Sequence, residues 1–451
     1  MFSKILIANR GEIAVRVARA CRSLGIGVVA VHSSPDRDSA LVRMADESVN
    51  IGPAPSRFSY LNIPNVIEAA LQTGAEAIHP GYGFLSEDPD FAEVCADNGI
   101  TFIGPRPDVM ARLGNKASAR SEMSAAGLPL LPGVVEPVAT ADEGAAIADS
   151  IGYPVVIKAA AGGGGRGITV VRDPAQFRQA YTATRRTAHS VFRDSTVYVE
   201  RYLDRARHIE VQVLLDEHGN GVHLGERDCS VQRRHQKLVE EAPAAGLTPQ
   251  QREEIGAAAV RGALAVGYTG AGTFEFLLDD RGNFSFMEVN CRIQVEHPVT
   301  EMVTGLDLVR EQILIAAGRP LSIKQEDVRL DGAAVECRIN AEDPSRGFAP
   351  APGLLDVFDL PGGPGVRVDT ALTAGAQISP HYDSLVAKVI AWAPDREQAL
   401  ARMRTALAEM RVEGRGVVTT RDLHLQVLSD PVFQAGQHHT GFLDGATALS
   451  A

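Results

Sequence analysis

Short apolar segments alternate with amphipathic segments throughout the first hundred residues, and this alternation constrains the fold more than any other feature. Residues 4–9 are typical of a buried strand, and the segment after them carries Ile13, Val17, Ala20 and Leu24 at helical spacing. The pattern continues with strands over residues 28–32, 75–79 and 101–103 and helices over residues 63–71 and 91–97. Strands that alternate with helices through short connections predict a parallel, doubly wound sheet.

The turn after the first strand, ANRGEIA, limits the kind of ligand that this sheet can bind. It has one glycine and lacks the GxGxxG pattern that brings the backbone close to a dinucleotide. We therefore expect no nicotinamide or flavin site here. A second glycine-containing segment, HPGYGFLSE at residues 79–87, follows a predicted strand end, where α/β proteins tend to bind ligands. A tight structural turn explains that segment equally well.

The chain has 451 residues, which is too long for one hydrophobic core and predicts two to four domains. Its formal net charge of −12 argues against nonspecific binding to nucleic acid or to an anionic membrane. No apolar run approaches the roughly 20 residues that span a bilayer, and the first apolar run is too short for a signal peptide. The five cysteines form no CxxC pair and predict reduced thiols. We therefore expect a cytoplasmic protein.

Residues 153–171, YPVVIKAAAGGGGRGITVV, place a lysine and a glycine run between two predicted strands. Lys158 stands near the end of the first strand, and four consecutive glycines follow it. The backbone N–H groups of glycines can surround an anion, and such a loop can close as a flap. The segment has no GK[ST] sequence and is therefore not a Walker A loop. A flexible linker is the alternative.

Several polar residues are consistent both with an exposed surface position and with a ligand-binding site. They are Lys116 after a Gly-Asn break, residues 200–203 at a strand end, His208 in the next strand, and Arg338 between apolar strand residues. Backbone and carboxylate groups at residues 200–203 could meet a purine edge. Residues 226–241, ERDCSVQRRHQKLVEE, are predicted to form a charged loop that is either solvated or anion-binding.

Residues 272–300 hold the densest group of reactive side chains. Glu275 lies in the apolar run TFEFLL, and Glu288 and Asn290 lie in FSFMEVN after the break DDRGN. Two apolar runs around a Gly-Asn break predict antiparallel strands, and residues two apart share a face. Two carboxylates and an amide oxygen suit Mg²⁺, whereas a solvated acidic sheet face is the alternative. The residues after the hairpin include Arg292, Gln294, Glu296 and His297.

Together these motifs resemble the ATP-grasp superfamily and, within it, the biotin carboxylase family of acetyl-CoA and other acyl-CoA carboxylases. The resemblance covers nearly the whole chain through IANRGEIA, HPGYGFLSE, GGGGRG, ERDCSVQRRHQK, GAGTFEFL, RIQVEHPVTE, VECRINAEDP and YDSLVAKV. It implies an α/β and α+β fold with three domains. These are a doubly wound N-terminal domain over residues 1–114, an ATP-grasp domain over 115–320 with a lid at about 130–203, and a C-terminal biotin carboxylase domain over 330–446.

The resemblance also implies a role for each residue of the site. The ATP-binding set comprises Lys116, Lys158, Gly164, Gly165, Glu200, Arg201, Tyr202, Leu203, His208, Gln232, His235, Glu275, Leu277 and Glu288. Two Mg²⁺ or Mn²⁺ ions would be held by Glu275, Glu288 and Asn290. Bicarbonate would contact Lys237, Arg292, Gln294 and the backbone of Val295. Glu296 would be the general base, and Arg338 with Tyr82 would meet biotin.

The implied activity is ATP-dependent carboxylation of biotin by bicarbonate through carboxyphosphate, the first half-reaction of acetyl-CoA carboxylase in fatty acid synthesis. Biotin would arrive on a separate biotin carboxyl carrier protein, because the chain has no Met-Lys-Met attachment motif. A carboxyltransferase would be the other partner, and the chain would form a homodimer. The alternatives are another ATP-grasp ligase, such as a purine-pathway carboxylase or a carbamoyl phosphate synthetase-like domain, and a nucleotide-binding scaffold without activity.

Two positions depart from the family's usual pattern. Cys291 stands where the family usually has Thr, between the metal and bicarbonate residues, and adds sensitivity to oxidation if its thiol can be reached. Pro364 lies in a segment that relatives use near their dimer contact.

Overall fold

The computed structural model describes residues 1–134, 136–160 and 167–444. Its N-terminal part is a parallel sheet in the order β3-β2-β1-β4-β5 with apolar clusters on both faces, so the predicted doubly wound sheet is confirmed. The elements are β1 (Lys4–Ile7), α1 (Gly11–Ser23), β2 (Gly27–Ser33), α2 (Ala40–Met44), β3 (Glu47–Gly52), α3 (Ile63–Thr73), β4 (Ala77–His79), α4 (Pro89–Asp97), β5 (Thr101–Phe102) and α5 (Pro107–Gly114).

The sequence pattern predicts neither α2 nor β3. Strand β3 reads ESVNIG and lies at the edge of the sheet, where most of its side chains stay partly or fully exposed. An edge strand has a neighbour on one side only, so it needs little apolar sequence to be held in place. Helix α2 is only five residues long and buries one of them, Leu41. Both elements therefore lack the periodic apolar signal on which such predictions depend.

A small antiparallel sheet in the order β7-β6-β8 follows and packs against two helices. The elements are α6 (Lys116–Ala125), α7 (Ala141–Ile151), β6 (Val155–Ala159), β7 (Ile168–Val171), α8 (Phe177–Phe192) and β8 (Val197–Arg201). Apolar side chains such as Val155, Phe177 and Val199 are buried between the sheet and the helices. The predicted flap residues Gly164 and Gly165 lie outside the described residues.

The rest of the chain is organised around one large antiparallel sheet of eight strands. The strands of this sheet are β9 (Arg207–Leu215), β10 (Gly221–Arg233), β11 (Gln236–Ala242), β12 (Gly270–Leu278), β13 (Phe284–Asn290), β14 (Ala333–Asn340), β18 (Val366–Asp369) and β19 (Leu385–Ala393). Two separate two-stranded sheets pair β15 (Glu342–Asp343) with β16 (Ala349–Pro350) and β17 (Leu354–Asp359) with β20 (Arg411–Arg415). The helices are α9 (Pro249–Ala265), α10 (His297–Thr304), α11 (Leu308–Ala316), α12 (Arg396–Glu409), α13 (Arg421–Ser429) and α14 (Pro431–Gln434).

The strand order in the large sheet is β13-β12-β9-β10-β11-β14-β19-β18. Strands from the predicted ATP-grasp and C-terminal segments therefore share one continuous sheet, joined where β11 pairs with β14. This pairing brings side chains that are about a hundred positions apart in sequence, such as Glu240 and Glu336, directly opposite each other. The exact domain boundaries stay a prediction.

The predicted charged loop at residues 226–241 is wrong. Most of this segment belongs to β10 and β11, and the turn between them contains Arg234 and His235, both with positive φ. Charged side chains within the strands, including Arg227, Asp228 and Glu240, are buried rather than solvated. Ion pairs inside the protein compensate their charge, so polarity in this segment does not indicate exposure.

None of the helices in residues 1–134, 136–160 and 167–444 is both long enough and apolar enough to cross a bilayer.

Candidate active site

Three carboxylates form a row across adjacent strands of the large sheet. Glu275 on β12 lies opposite Glu210 on β9 and opposite Glu288 on β13. Residues directly opposite each other point to the same face, so the three acids lie side by side, while Phe274 and Phe276 point into the core. The predicted hairpin is thus confirmed, and it presents one acidic face. Like charges so arranged repel each other and require a nearby cation.

Lys237 supplies that cation. Its Nζ donates hydrogen bonds to Glu210 Oε2 at 2.6 Å, to Glu275 Oε1 at 2.9 Å and to Glu296 Oε1 at 2.7 Å. Burial lowers the pKa of Lys237, but the three carboxylates outweigh burial and raise that pKa well above its ordinary value. The ammonium group is therefore a permanent charge that links the carboxylate row to Glu296.

Glu296 lies between two cationic side chains just before α10. Its Oε1 accepts a hydrogen bond from Lys237, and its Oε2 accepts one from Arg338 Nη2 at 2.9 Å. The side chain is completely buried. Burial raises the pKa of Glu296, but Lys237 and Arg338 together hold it well below the usual range. The carboxylate is therefore ionised and able to accept a proton from a substrate placed beside it.

Three side chains fix the guanidinium group of Arg292. Its Nε donates to Glu87 Oε2 at 2.9 Å, its Nη1 donates to Gln294 Oε1 at 2.8 Å, and its Nη2 donates to Asn290 Oδ1 at 3.1 Å. Glu87 lies in the HPGYGFLSE segment, so that segment contributes to the site and is more than a structural turn. A planar guanidinium held in this way suits a small planar anion such as a carboxylate or carbonate group.

The backbone next to Glu296 is held by a lysine from the far end of the sheet. Lys388 on β19 is completely buried, and its Nζ donates to the carbonyl oxygen of Val295 at 2.7 Å. The same Nζ lies 3.0 Å from Glu12 Oε1, and Glu12 accepts a hydrogen bond from the hydroxyl of Tyr82. One buried ammonium thus connects the predicted bicarbonate segment to the predicted biotin residue Tyr82.

Two of the predicted metal ligands, Glu275 and Glu288, offer adjacent carboxylates that suit a divalent cation, whereas the Oδ1 of Asn290 accepts a hydrogen bond from Arg292. Asn290 Nδ2 donates to Glu275 Oε1 at 2.9 Å, which fixes the amide beside the carboxylate row. The nearest cation to Glu288 is Lys116, whose Nζ is 4.0 Å from Oε2. Burial and then the charge of Glu275 raise the pKa of Glu288, so its negative charge is under-compensated by the protein itself. Oxygen donors with excess negative charge are the ligands that Mg²⁺ and Mn²⁺ prefer.

The two predicted phosphate-binding lysines lie on different elements. Lys116 is the first residue of α6, and Lys158 lies near the end of β6. Lys158 Nζ donates to Glu200 Oε2 at 2.6 Å, and Arg120 Nη1 is 3.0 Å from Glu200 Oε1. Burial raises the pKa of Glu200, but Lys158 and Arg120 lower it overall. The predicted adenine hinge and the predicted phosphate lysine are therefore linked by an ion pair.

Asn115 positions Lys116 by capping α6. Its side-chain oxygen accepts hydrogen bonds from the backbone N–H groups of Ala117 and Ser118 at 3.1 and 3.0 Å. We expect Asn115→Ala to lower the free energy of unfolding by about 1 kcal/mol, because the capped N–H groups lose their acceptor. Thermal unfolding is the measurement. Asn115→Ser is the control, because serine also caps helices, and equal destabilisation by both substitutions would contradict the capping role.

The other predicted nucleotide residues lie on the strands beside the carboxylate row or near the end of β8. His208 Nε2 is 3.1 Å from Glu275 Oε2, and Leu277 lies opposite His208 in the β12–β9 ladder. Gln232 lies opposite Lys237, next to the turn that contains His235. The Arg201 guanidinium donates to the carbonyl oxygens of Ile151 and Gly152, both at 3.1 Å. This side chain therefore binds the C-terminal end of α7. Tyr202 and Leu203 follow β8 directly.

The chain was compared with known proteins, and three family models cover most of it. "Biotin carboxylase, N-terminal domain" matches residues 1–110, "Carbamoyl-phosphate synthase L chain, ATP binding domain" matches residues 115–324, and "Biotin carboxylase C-terminal domain" matches residues 336–445. The biotin carboxylase of Nostoc sp. is 54% identical over 442 residues, which are 98% of this chain and 98% of that protein.

The chain belongs to the biotin carboxylase family.

Two further members of this family match over nearly the same length. Biotin carboxylase 1 of Bacillus subtilis is 52% identical over 445 residues, which are 98% of this chain and 98% of that protein. The biotin carboxylase domain dimer of 2-oxoglutarate carboxylase from Hydrogenobacter thermophilus was solved with MgADP, ADP and bicarbonate. It matches with a TM-score of 0.95 at 48% identity and covers 100% of this chain and 99% of that chain. The predicted ATP-grasp fold is therefore confirmed.

Several residues of this biotin carboxylase site were missed from the sequence. They are Glu87, Glu210, Arg227 and Lys388. Glu210 carries the signal that identified Glu275, since it stands between apolar residues in the strand sequence HIEVQVLL. Lys388 carries the same signal in LVAKVIAWA, where a charged residue in an apolar strand requires a buried partner. Glu87 carries no comparable local signal.

Cys291 departs from the usual family residue without exposing a thiol. Its side chain is buried, and burial followed by the charge of Glu87 raises the pKa of the thiol. Its backbone N–H donates to Glu87 Oε1 at 2.8 Å, so the position helps to hold Glu87 against Arg292. A buried, protonated thiol reacts slowly with oxidants, and the conditional expectation of oxidation sensitivity therefore does not apply.

Proposed function

We propose that this protein carboxylates biotin with bicarbonate at the expense of ATP. The proposal rests on the position of Glu296, a buried carboxylate that accepts hydrogen bonds from Lys237 and from Arg338. A base with a cation on each side can serve two reactants, one next to Lys237 and one next to Arg338. The row of carboxylates and the lysines of α6 and β6 provide the adjacent ATP and metal groups. The Hydrogenobacter thermophilus relative, solved with MgADP and bicarbonate, supports this assignment.

The first step activates bicarbonate, which is both a poor nucleophile and a poor electrophile. Arg292 and Lys237 would bind the anion, and Glu296 would accept its proton. The resulting oxygen attacks the γ-phosphate, the bond to ADP breaks, and carboxyphosphate forms. Phosphoryl transfer of this kind depends on positioning and charge neutralisation, to which Lys116 and Lys158 would contribute. Metal ions at Glu275, Glu288 and Asn290 would neutralise further phosphate charge.

The second step transfers the carboxyl group to biotin. The C–O bond to phosphate breaks and yields CO₂ and phosphate. Phosphate takes the N1 proton of biotin, and N1 then bonds to CO₂. Arg338, whose charge also acts on the Tyr82 hydroxyl, would stabilise the negative charge that develops on the ureido oxygen. Water must be excluded during this step, because it would consume carboxyphosphate.

We propose a carrier-bound substrate and a dimeric enzyme. The carrier would be a separate biotin carboxyl carrier protein, and a carboxyltransferase would transfer the carboxyl group to acetyl-CoA or another acceptor. The dimer contact would involve the segment near Pro364. The position of β18 at the end of the large sheet supports a contact there, and the Hydrogenobacter thermophilus structure is a domain dimer.

We also propose a cytoplasmic location. All five cysteines are free, as is usual for proteins of a reducing compartment.

The proposed activity is tested by measuring ATP hydrolysis with bicarbonate present or absent and with free biotin present or absent. We expect hydrolysis to require bicarbonate and to increase with biotin, while labelled bicarbonate enters acid-labile carboxybiotin. If biotin does not change the rate of ATP hydrolysis but ammonia increases it, the protein would instead be a carbamoyl phosphate synthetase-like ligase. Folded protein that hydrolyses no ATP under any of these conditions would indicate a scaffold.

A further inference from the structure

Two carboxyl groups outside the proposed reaction lie directly opposite each other in the large sheet. Glu240 on β11 and Glu336 on β14 form a cross-strand pair, and both side chains are completely buried. Within the described residues, none of their four carboxyl oxygens has a partner with hydrogen-bond geometry. Glu240 Oε1 does make one close ion-pair contact, at 2.6 Å from Arg338 Nη2. Among the described residues, Arg338 is therefore the one cation in direct contact with the pair.

The pair is bordered by both apolar and charged side chains. Val299 and Val303 of α10 pack with Ala242, Ala334 and Ile390, which border the pair on β11, β14 and β19. The charged and titratable groups that act on the pair come from every neighbouring element. They are Arg338 on β14, Lys388 on β19, Lys237 on β11, Glu296 before α10 and Cys229 on β10. Helix α10 also carries His297, whose pKa burial and Lys388 hold well below its ordinary value.

Two adjacent buried carboxyl groups cannot both ionise at moderate cost, so the pair retains one proton. Burial and the charge of Glu240 raise the pKa of Glu336 well above its ordinary value, although Lys388 and Arg338 oppose this. Burial also raises the pKa of Glu240, to about 7, with Arg338 opposing. Glu336 is therefore the carboxyl group that keeps the proton, and Glu240 is the one that carries the charge.

Arg338 lies between the pair and the proposed general base. Its Nη2 is 2.9 Å from Glu296 Oε2 and 2.6 Å from Glu240 Oε1. One nitrogen is thus shared by two carboxylates, and its position depends on the balance between their charges. A pair with one negative charge balances Glu296, whereas a pair with two negative charges would attract Arg338 away from it.

We propose that Glu240 and Glu336 are positioning residues for Arg338, acting as a carboxyl pair that holds a single proton. This inference rests on the proposed biotin carboxylation. The proton on Glu336 limits the pair to one negative charge, so Arg338 stays beside Glu296 and in reach of the biotin ureido oxygen. When the pH rises enough to remove this proton, Arg338 moves toward the pair. The biotin-dependent rate then falls relative to the rate of bicarbonate-dependent ATP hydrolysis without biotin.

Glu336→Gln and Glu240→Gln separate the two halves of the proposal. Glutamine resembles a protonated carboxyl group, so Glu336→Gln should keep the biotin-dependent rate within about threefold at neutral pH and remove the alkaline decline of the rate ratio. Glu240→Gln removes the charge that holds Arg338. It should lower the biotin-dependent rate by about tenfold to a hundredfold, while hydrolysis without biotin changes by less than about threefold. Glu311→Gln, at another buried carboxyl group with raised pKa, is the control.

An infrared measurement tests the proton without depending on turnover. At neutral pH we expect the wild-type protein to show a protonated-carboxyl band that Glu336→Gln lacks and Glu311→Gln retains. Absence of that band, or equal loss of both rates in Glu240→Gln at unchanged thermal stability, would overturn the inference. A wild-type protein without biotin-dependent activity would instead overturn the proposed function, and the infrared band would still decide whether the pair holds a proton.

Discussion

Replacing Glu296 with glutamine should lower bicarbonate-dependent ATP hydrolysis and biotin carboxylation together, by about a hundredfold to ten-thousandfold. The side chain is buried and is the carboxylate on which Lys237 and Arg338 converge. Glutamine has nearly the same shape but cannot accept the proton of bicarbonate, so the attack on the γ-phosphate loses its base. The measurement is the steady-state rate of ADP formation and of carboxybiotin formation, each at saturating ATP.

Thermal unfolding of Glu296→Gln separates loss of chemistry from loss of structure. Lys237 and Arg338 keep other partners, because Lys237 also bonds to Glu210 and Glu275 and Arg338 also contacts Glu240. The fold should therefore survive. A variant that retains more than about a tenth of the wild-type ADP rate would exclude Glu296 as the general base, since a positioned base contributes more than this.

Replacing Arg338 with glutamine should affect the two reactions unequally. Biotin carboxylation should fall by about a hundredfold or more, because the developing charge on the ureido oxygen loses its fixed guanidinium partner. Bicarbonate-dependent ATP hydrolysis without biotin should stay largely intact, because Lys237 still contacts Glu296. The ratio of carboxybiotin to ADP formed is the quantity to measure.

Arg338→Lys provides the matched comparison. Lysine keeps the positive charge but lacks the planar guanidinium group whose Nη2 contacts both Glu296 and Glu240. We expect it to keep the hydrolysis rate without biotin, as Arg338→Gln does, and to recover little of the carboxylation rate. Equal loss of both reactions in Arg338→Gln would show that Arg338 acts in the activation of bicarbonate rather than at biotin.

The parts of the fold that could be predicted from sequence are those encoded by local patterns. The hairpin with Glu275, Glu288 and Asn290 has a period-two apolar pattern and a Gly-Asn break, and the structure pairs it as expected. The N-terminal sheet is likewise confirmed because each strand and helix carries its own apolar period. By contrast, residues 226–241 were predicted to form a loop because their charges suggested exposure, whereas ion pairs allow those charges to be buried.

The parts of the site that could not be predicted depend on contacts between distant segments. Glu240 and Glu336 become neighbours only because β11 pairs with β14, and Lys388 reaches Val295 only because β19 pairs with β14. No local pattern specifies which strands will pair across a hundred intervening residues. Glu210 is a different case, because it stands between apolar residues in its strand as Glu275 does, and the same local pattern predicts a buried carboxylate with a cationic partner.

The central claim is that ATP activates bicarbonate for transfer to biotin, and oxygen transfer tests it most directly. The protein would be incubated with ATP, biotin and ¹⁸O-labelled bicarbonate, and the phosphate released would be analysed by mass spectrometry before the label exchanges with water. We expect each phosphate to carry one oxygen from bicarbonate, because that oxygen attacks the γ-phosphate and stays on phosphorus when the C–O bond breaks. Phosphate whose added oxygen comes from water, in a sample that forms carboxybiotin, would contradict the claim.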